Sequence, residues 1–394
     1  MALTYIANVT LFDGRTVKSK QGVLVDGDRI ALVGPHARAP RRASGTKSVD
    51  GAGKTLGPGL IDCHVHLAFD GLADFAGEAE QMTPALAAVK ATVNARKHLV
   101  AGVTTVRDLG GPGGAIIDVG RAIDDGVIQG PRVVAAGHAL TVTGGHGHNV
   151  AFGREVDGAA DMRKAVREEI RRGATAIKIV ATGGVLTPGI GATFTAYTPE
   201  ELAAAVDEAH GWGRPVAAHA IGAEGILRAV VAGVDSVEHC NMVTPEIARE
   251  MKSRGTYRSP TLCAIRGIVD NPAEVPAYAV EKGRAIEADS RASHVRAVKA
   301  GVLHVCGTDA GTPFNPHGSA PRELAYMVEW GMTPLAAMRA GTANGAALLR
   351  RDDLGMVETG RLADLVLYAA NPAEDIAAAA VPLTVWKAGT VVRP

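Results

Sequence analysis

Two histidines, His64 and His66, close the apolar run Leu60-Ile61-Asp62-Cys63 with one residue between them. Alternate side chains of a β-strand share a face, so this spacing aims both imidazoles at one site. Imidazole nitrogen is a favoured ligand for zinc and other borderline divalent ions, and two on one rigid strand supply half of a metal site. Alone, the triplet would equally describe two half-exposed strand residues. Four later positions weigh for the metal. Ala176-Ile177-Lys178-Ile179-Val180 embeds a lysine in an apolar strand, where an unpaired ammonium carries a large desolvation cost, so something must pair or neutralise it. Pro215-Val216-Ala217-Ala218-His219 and Val234-Asp235-Ser236-Val237-Glu238-His239 both end in histidine, and Val302-Leu303-His304-Val305-Cys306-Gly307-Thr308-Asp309 ends in a carboxylate.

Six potential ligands at strand ends need a frame in which separate strands converge on one pocket. The C-terminal face of a (β/α)8 barrel is such a frame. Between about 57 and 354, strand-like runs beginning near 60, 103, 131, 175, 215, 234, 256 and 302 alternate with helical stretches over 83–100, 157–172, 198–212, 223–231, 244–254, 277–299 and 333–349. Thr198-Pro199-Glu200-Glu201 and Thr333-Pro334 carry the signature of a capping threonine with proline in the first turn. Short strands and hairpin turns occupy the first 56 residues, with Asp13-Gly14 and Asp26-Gly27-Asp28 as turns, and strand runs recur at 363–368 and 383–387. The predicted fold is therefore α/β: a (β/α)8 barrel over 57–354 and one small discontinuous β-sandwich built from 1–56 and 355–394.

At 394 residues the chain is long enough for both parts. Lys plus Arg and Asp plus Glu balance at 41 each, so no net field favours nucleic acid or an anionic membrane. No run approaches the roughly 20 apolar residues of a membrane span. Cys63, Cys240, Cys263 and Cys306 lie far apart with no C-x-x-C spacing, as reduced thiols would. The stretch from Met1 to Phe12 alternates like a strand and has no signal-peptide pattern, so a cytoplasmic enzyme acting on a small molecule is expected.

The chain resembles the amidohydrolase superfamily, and within it the imidazolonepropionase-like branch of metal-dependent dipeptidases, carboxypeptidases and related amide hydrolases. The resemblance is carried by Gly57-Pro58-Gly59-Leu60-Ile61-Asp62-Cys63-His64-Val65-His66, Lys178 with Ala181-Thr182-Gly183-Gly184, His219, Glu238-His239 and Gly307-Thr308-Asp309-Ala310-Gly311. It implies a binuclear zinc site: His64, His66 and Asp309 on one ion, His219 and His239 on the other, with Lys178 carboxylated to a carbamate that bridges both. It also implies a homo-oligomer, and pocket roles for His138 and His146 in holding a substrate carboxylate or the scissile carbonyl. Several dipeptidase members have a tyrosine two residues after the histidine that corresponds to His219; here that residue is Ile221. Either a histidine such as His138 substitutes, or the substrate is more apolar at that point.

Two close divalent ions make hydroxide available near neutrality and polarise a carbonyl. Amide hydrolysis follows, with Asp309 as ligand and proton shuttle, on a dipeptide or N-acyl amino acid. The rival reading of Asp309 is a helix N-cap. Alternative substrates for the same chemistry are a cyclic amide, carbamate, lactone or phosphotriester; the alternative of another class is a metal-binding barrel without catalysis. Thr182-Gly183-Gly184-Val185 is expected to form a tight turn whose small residues let substrate or backbone approach the metals.

Overall fold

A computed structural model describes residues 3–38 and 45–393, so the parts of the sandwich expectation at 1–2, 39–44 and 394 lie outside it. Two parallel sheets form the interior. One holds Leu60–Val65, Val103–Asp108 and Arg132–Ala135; the other holds Gly153–Glu155, Ala139–Thr141, Ile177–Val180, Val216–Ala220, Ser236–His239 and Tyr257–Ser259. The sheets meet on one side through Thr175 N donating to Ala135 O at 2.9 Å. On the other side the segment around 303–310 bridges Arg258 through His304 and Val65 through Ala310, and Cys63 N donates to Cys306 O at 2.8 Å.

That last segment was expected as a strand from near 302, and it is reduced to isolated bridges. The cause is a side chain that replaces ladder partners. The carboxylate of Asp62 accepts from Thr308 N at 3.0 Å and from the Thr308 hydroxyl at 2.7 Å. Gly307 permits the close approach, because a Cβ there would fall 2.2 Å from Ser259 Oγ.

Helices cover the sheets. Thr198 caps Pro199–Gly211 in a reciprocal capping box with Glu201, and Thr83, Thr244 and Thr333 cap helices that open on proline. The helix expected over 333–349 is two, Pro334–Ala340 and Ala343–Leu348. Gly341 between them offers its carbonyl to Ile61 N at 2.8 Å, which ties the break to the first interior strand. Phe75–Glu80, Ala115–Asp124, Leu262–Val269 and Ala320–Glu329 are helices that the sequence pattern did not disclose.

The two ends of the chain join in one eight-stranded sheet rather than two separate hydrogen-bonded layers. Its order runs Thr390–Arg393, Pro382–Lys387, Leu365–Tyr368, Thr55–Pro58, Thr4–Phe12, Val17–Asp26, Arg29–Pro35, with Lys47–Asp50 also paired to Thr4–Phe12. Thr55–Pro58 is the link: it pairs antiparallel with the C-terminal strand Leu365–Tyr368 and parallel with Thr10 and Leu11. Ile6, Leu11, Val23, Leu56, Leu365 and Trp386 share this sheet's own core. All four cysteines are free and buried. No helix among the described residues is long and apolar enough to cross a membrane.

Candidate active site

The ends of the parallel strands bring His64, His66, Lys178, His219, His239 and Asp309 to the floor of one cavity. All but His239 are buried at the residue level, with Lys178 only 3% exposed. Ligand atoms of His64, His239 and Asp309 lie within 4.8 Å of one another. Two of the six residues depart from extended backbone, His239 with φ 66° and Asp309 with φ 59°. Strand alternation would send Glu238 and His239 to opposite faces; the left-handed turn at His239 lets both serve the interior. Strain of this kind costs on the order of 1–3 kcal/mol per residue and persists where surrounding structure over-determines it.

Most of the imidazoles have a defined donor and acceptor side. His64 Nδ1 is 3.0 Å from Glu238 Oε2, His66 Nδ1 is 3.1 Å from Gly110 O, and His219 Nε2 is 2.8 Å from Gly183 O. Each of these partners can only accept, so the bonded nitrogen carries the proton and the other ring nitrogen offers a lone pair. His239 Nδ1 meets Thr261 Oγ1 at 2.7 Å, leaving Nε2 for the site. The lone-pair nitrogens of His64 and His66 then stand 3.3 Å from the same Asp309 oxygen. Such an arrangement is repulsive without a positive charge between the atoms. Burial, reinforced by the Lys178 charge, holds the His64 imidazole well below its usual range, whereas at His66 burial is outweighed by the contact with Asp309, which holds it above that range; the three groups thus call for a cation between them, and the donor set fits a metal ion.

Lys178 makes no hydrogen bond to any described residue. Burial lowers its ammonium to about 8, against the attraction of the Glu238 and Asp309 charges. Asp309 is held below the usual carboxylate range: burial works to raise it, and His64, His66 and Lys178 together outweigh that.

His146 and His138 part company. His146 lines the cavity, its ring 4.7 Å from that of His219, with Nδ1 at 2.7 Å from Thr187 Oγ1. Thr187 Oγ1 also accepts from Gly147 N at 3.0 Å, and in the tautomer where the Thr187 hydroxyl donates to His146 Nδ1, Nε2–H is a donor towards the cavity. Burial pulls the His146 imidazole down to about 4. Gly184 lies under the ring, where a Cβ would fall 2.3 Å from Nε2. His138, expected in the pocket, is not brought to the cavity. Glu169 draws it away, at 3.2 Å from Nδ1, and Nε2 accepts from Gly113 N at 3.2 Å. The segment after Lys178 also differs from the expected tight turn, running as a longer loop closed by the Thr182–Thr195 bridge.

Sequence reasoning missed the groups behind the ligands. Glu238 Oε1, opposite the oxygen that meets His64, accepts from Arg107 Nη2 at 2.8 Å and from the Ser236 hydroxyl at 2.5 Å, and Arg107 Nε donates to Cys63 O at 2.6 Å. Arg107 and Glu238 are fully buried. The signal was present: Arg107 stands in Val103-Thr104-Thr105-Val106-Arg107-Asp108 as Lys178 stands in its own strand.

The chain matches the amidohydrolase family model over residues 55–392 and belongs to that family. It is 33% identical to an ochratoxinase of Aspergillus niger, over 99% of this chain and 87% of that protein. An imidazolonepropionase of Cutibacterium acnes is 31% identical over 88% of this chain and 83% of its own length. A crystal structure of a Xaa-Pro dipeptidase with methionine bound in the active site superimposes with a TM-score of 0.92 and 32% identity, covering 100% of both chains. The chain is thus a hydrolase acting on C–N bonds.

Proposed function

We propose that the protein hydrolyses an amide bond in a small peptide-like substrate at a binuclear metal site. The observation that carries this reading is the convergence of six ligand-type side chains on one cavity, with His64 and His66 nitrogens facing Asp309 and a buried lysine that has no hydrogen-bond partner among the described residues. The two bridged parallel sheets are read as one closed (β/α)8 barrel over 57–354, and the end sheet as a separate domain from 1–56 and 355–394.

His64, His66 and Asp309 would hold one divalent ion and His219 and His239 the other, with Lys178 as a carbamate between them. Such a pair, zinc in the simplest case, supplies hydroxide at neutral pH and polarises the scissile carbonyl. His146 Nε2–H donates to the carbonyl oxygen as negative charge develops there. Asp309 takes the proton of the attacking water on a carboxylate oxygen and returns it to the leaving nitrogen. Glu238 keeps the proton of His64 on Nδ1, so that Nε2 remains a ligand.

The decisive experiment loads the full chain with zinc, counts bound metal and assays a panel of dipeptides, N-acyl amino acids and neutral amides. Two ions per chain and metal-dependent cleavage are expected. A loaded protein that cleaves no amide would return the site to a structural role.

A further inference from the structure

Above the ligands, the cavity wall is apolar. Val185, Leu186, Ile221, Ile265, Ile268 and Ile286 line it, and Ile221, Ile265 and Ile286 pack as one cluster. Among the described residues, Lys178 is the sole lysine or arginine in the lining, and the proposed site uses it between the metals.

Each polar side chain bordering the wall makes at least one hydrogen bond within the protein, while Asn241 Oδ1 is left without one among the described residues. Asn241 Nδ2 donates to Ser290 Oγ at 2.7 Å, Thr261 Oγ1 meets His239 at 2.7 Å, and the Thr312 hydroxyl donates to Asp309 O at 2.8 Å. Lys282, on the helix Ala277–Ala300 behind the wall, directs its ammonium to the carbonyls of Ile190 at 2.6 Å and Thr187 at 2.7 Å. His146 stands beside His219, at the reacting carbonyl. A carboxylate seated against the isoleucines would lose its hydration with no lysine or arginine of the lining beside it except Lys178, which the proposed site uses.

We propose that the substrate is an uncharged amide whose amine side carries a branched aliphatic or aromatic group against Ile221, Ile265 and Ile286, without a free carboxylate beside the scissile nitrogen. The proposal rests on the amide-hydrolase reading of the site. It replaces the expected carboxylate contact: His138 is held by Glu169 away from the cavity, and Ile221 belongs to the apolar wall.

A matched pair tests it on the zinc-loaded full chain: N-benzoyl-leucine and N-benzoyl-isoamylamine, which differ only in the carboxylate. Binding of their ketone isosteres, with CH2 in place of the scissile NH, is measured alongside by calorimetry. The neutral amide should exceed the acid in kcat/KM by at least about tenfold, and its isostere should bind at least about tenfold tighter. Ile221→Arg should narrow both ratios. Equal or better handling of the acid by the wild type overturns the proposal, as does failure of the neutral isostere to bind at millimolar concentration. If neither amide is cleaved while the neutral isostere keeps its advantage, the ligand class stands and the hydrolytic reading falls.

Discussion

The residues around Asp309 divide into those that touch the reaction and those that hold them. Asp309→Asn removes the proton acceptor while keeping shape, and general acid–base catalysis alone contributes about 10²-fold to 10⁴-fold. The variant should fall by at least that factor in kcat; retention of more than about a tenth of the wild-type rate would exclude the shuttle role. Lys178→Ala should lose metal and activity together, with partial recovery on adding short carboxylic acids; full metal content at near-native turnover would refute the carbamate. Glu238 acts through His64. Glu238→Gln should weaken metal affinity about 10-fold to 100-fold in chelator competition, the scale typical for removing a ligand's hydrogen-bond partner. An unchanged affinity would reduce Glu238 to packing. The ligands themselves were legible because a charged or imidazole side chain at the end of an apolar run is costly to bury unless an ion or a polar partner meets it there. Arg107 showed the same sign in its own strand, but its pairing with Glu238 did not, since the two lie on different strands 131 positions apart. His138 misled for the same reason: its partner Glu169 lies 31 residues on, in the helix Ala159–Arg172, and nothing local announces the contact.

Among the elements, the loop after Lys178 decides how the cavity is roofed. Lys282 and Tyr278 of the helix Ala277–Ala300 hold it through the carbonyls of Thr187, Ile190 and Leu186, and Thr187 in turn orients His146. Gly184→Ala places a methyl where His146 now lies, 2.3 Å from Nε2. Its expected effect is a loss of kcat at unchanged metal content and nearly unchanged melting temperature; a fully active variant would separate His146 from the reaction. Long amphipathic helices with a threonine cap were readable, as Pro199–Gly211 and Pro245–Arg254 show. The helix Leu262–Val269 was not, because it begins after Thr261 at φ 49° with no side-chain cap. The interruption near Gly341 was equally hidden: the hydrogen bond from Ile61 that marks it comes from 280 positions earlier, as the residue numbers show.

At the scale of the whole molecule, the proposed metal site spans the seam between the first interior strand and the segment around 303–310. Strands Ile177–Val180, Val216–Ala220 and Ser236–His239 pair through regular ladders, whereas the segment carrying Asp309 is joined by isolated bridges, by the Asp62 side chain and by single backbone hydrogen bonds such as Asp309 N to His64 O at 2.7 Å. His64 and His66 lie on one side of that seam and Asp309 on the other, 3.3 Å from both. Metal bound there joins the first interior strand to the last segment, so its binding energy appears as stability of the closed arrangement. A ligand present at about 100 to 1,000 times its dissociation constant adds about 2.7 to 4.1 kcal/mol if it binds only the folded state. Stripping the metal should therefore lower the melting temperature by a few degrees, on the order of 5 °C, without abolishing the fold, because the sheets and the end-sheet core are complete without it. Amide exchange should localise the effect, rising most at 304–310 and little in Thr4–Phe12 or Leu365–Tyr368. If apo and loaded protein melt together and exchange alike, the ions do not close the seam; if the stripped chain unfolds outright, the metal is part of the fold as well as of the chemistry.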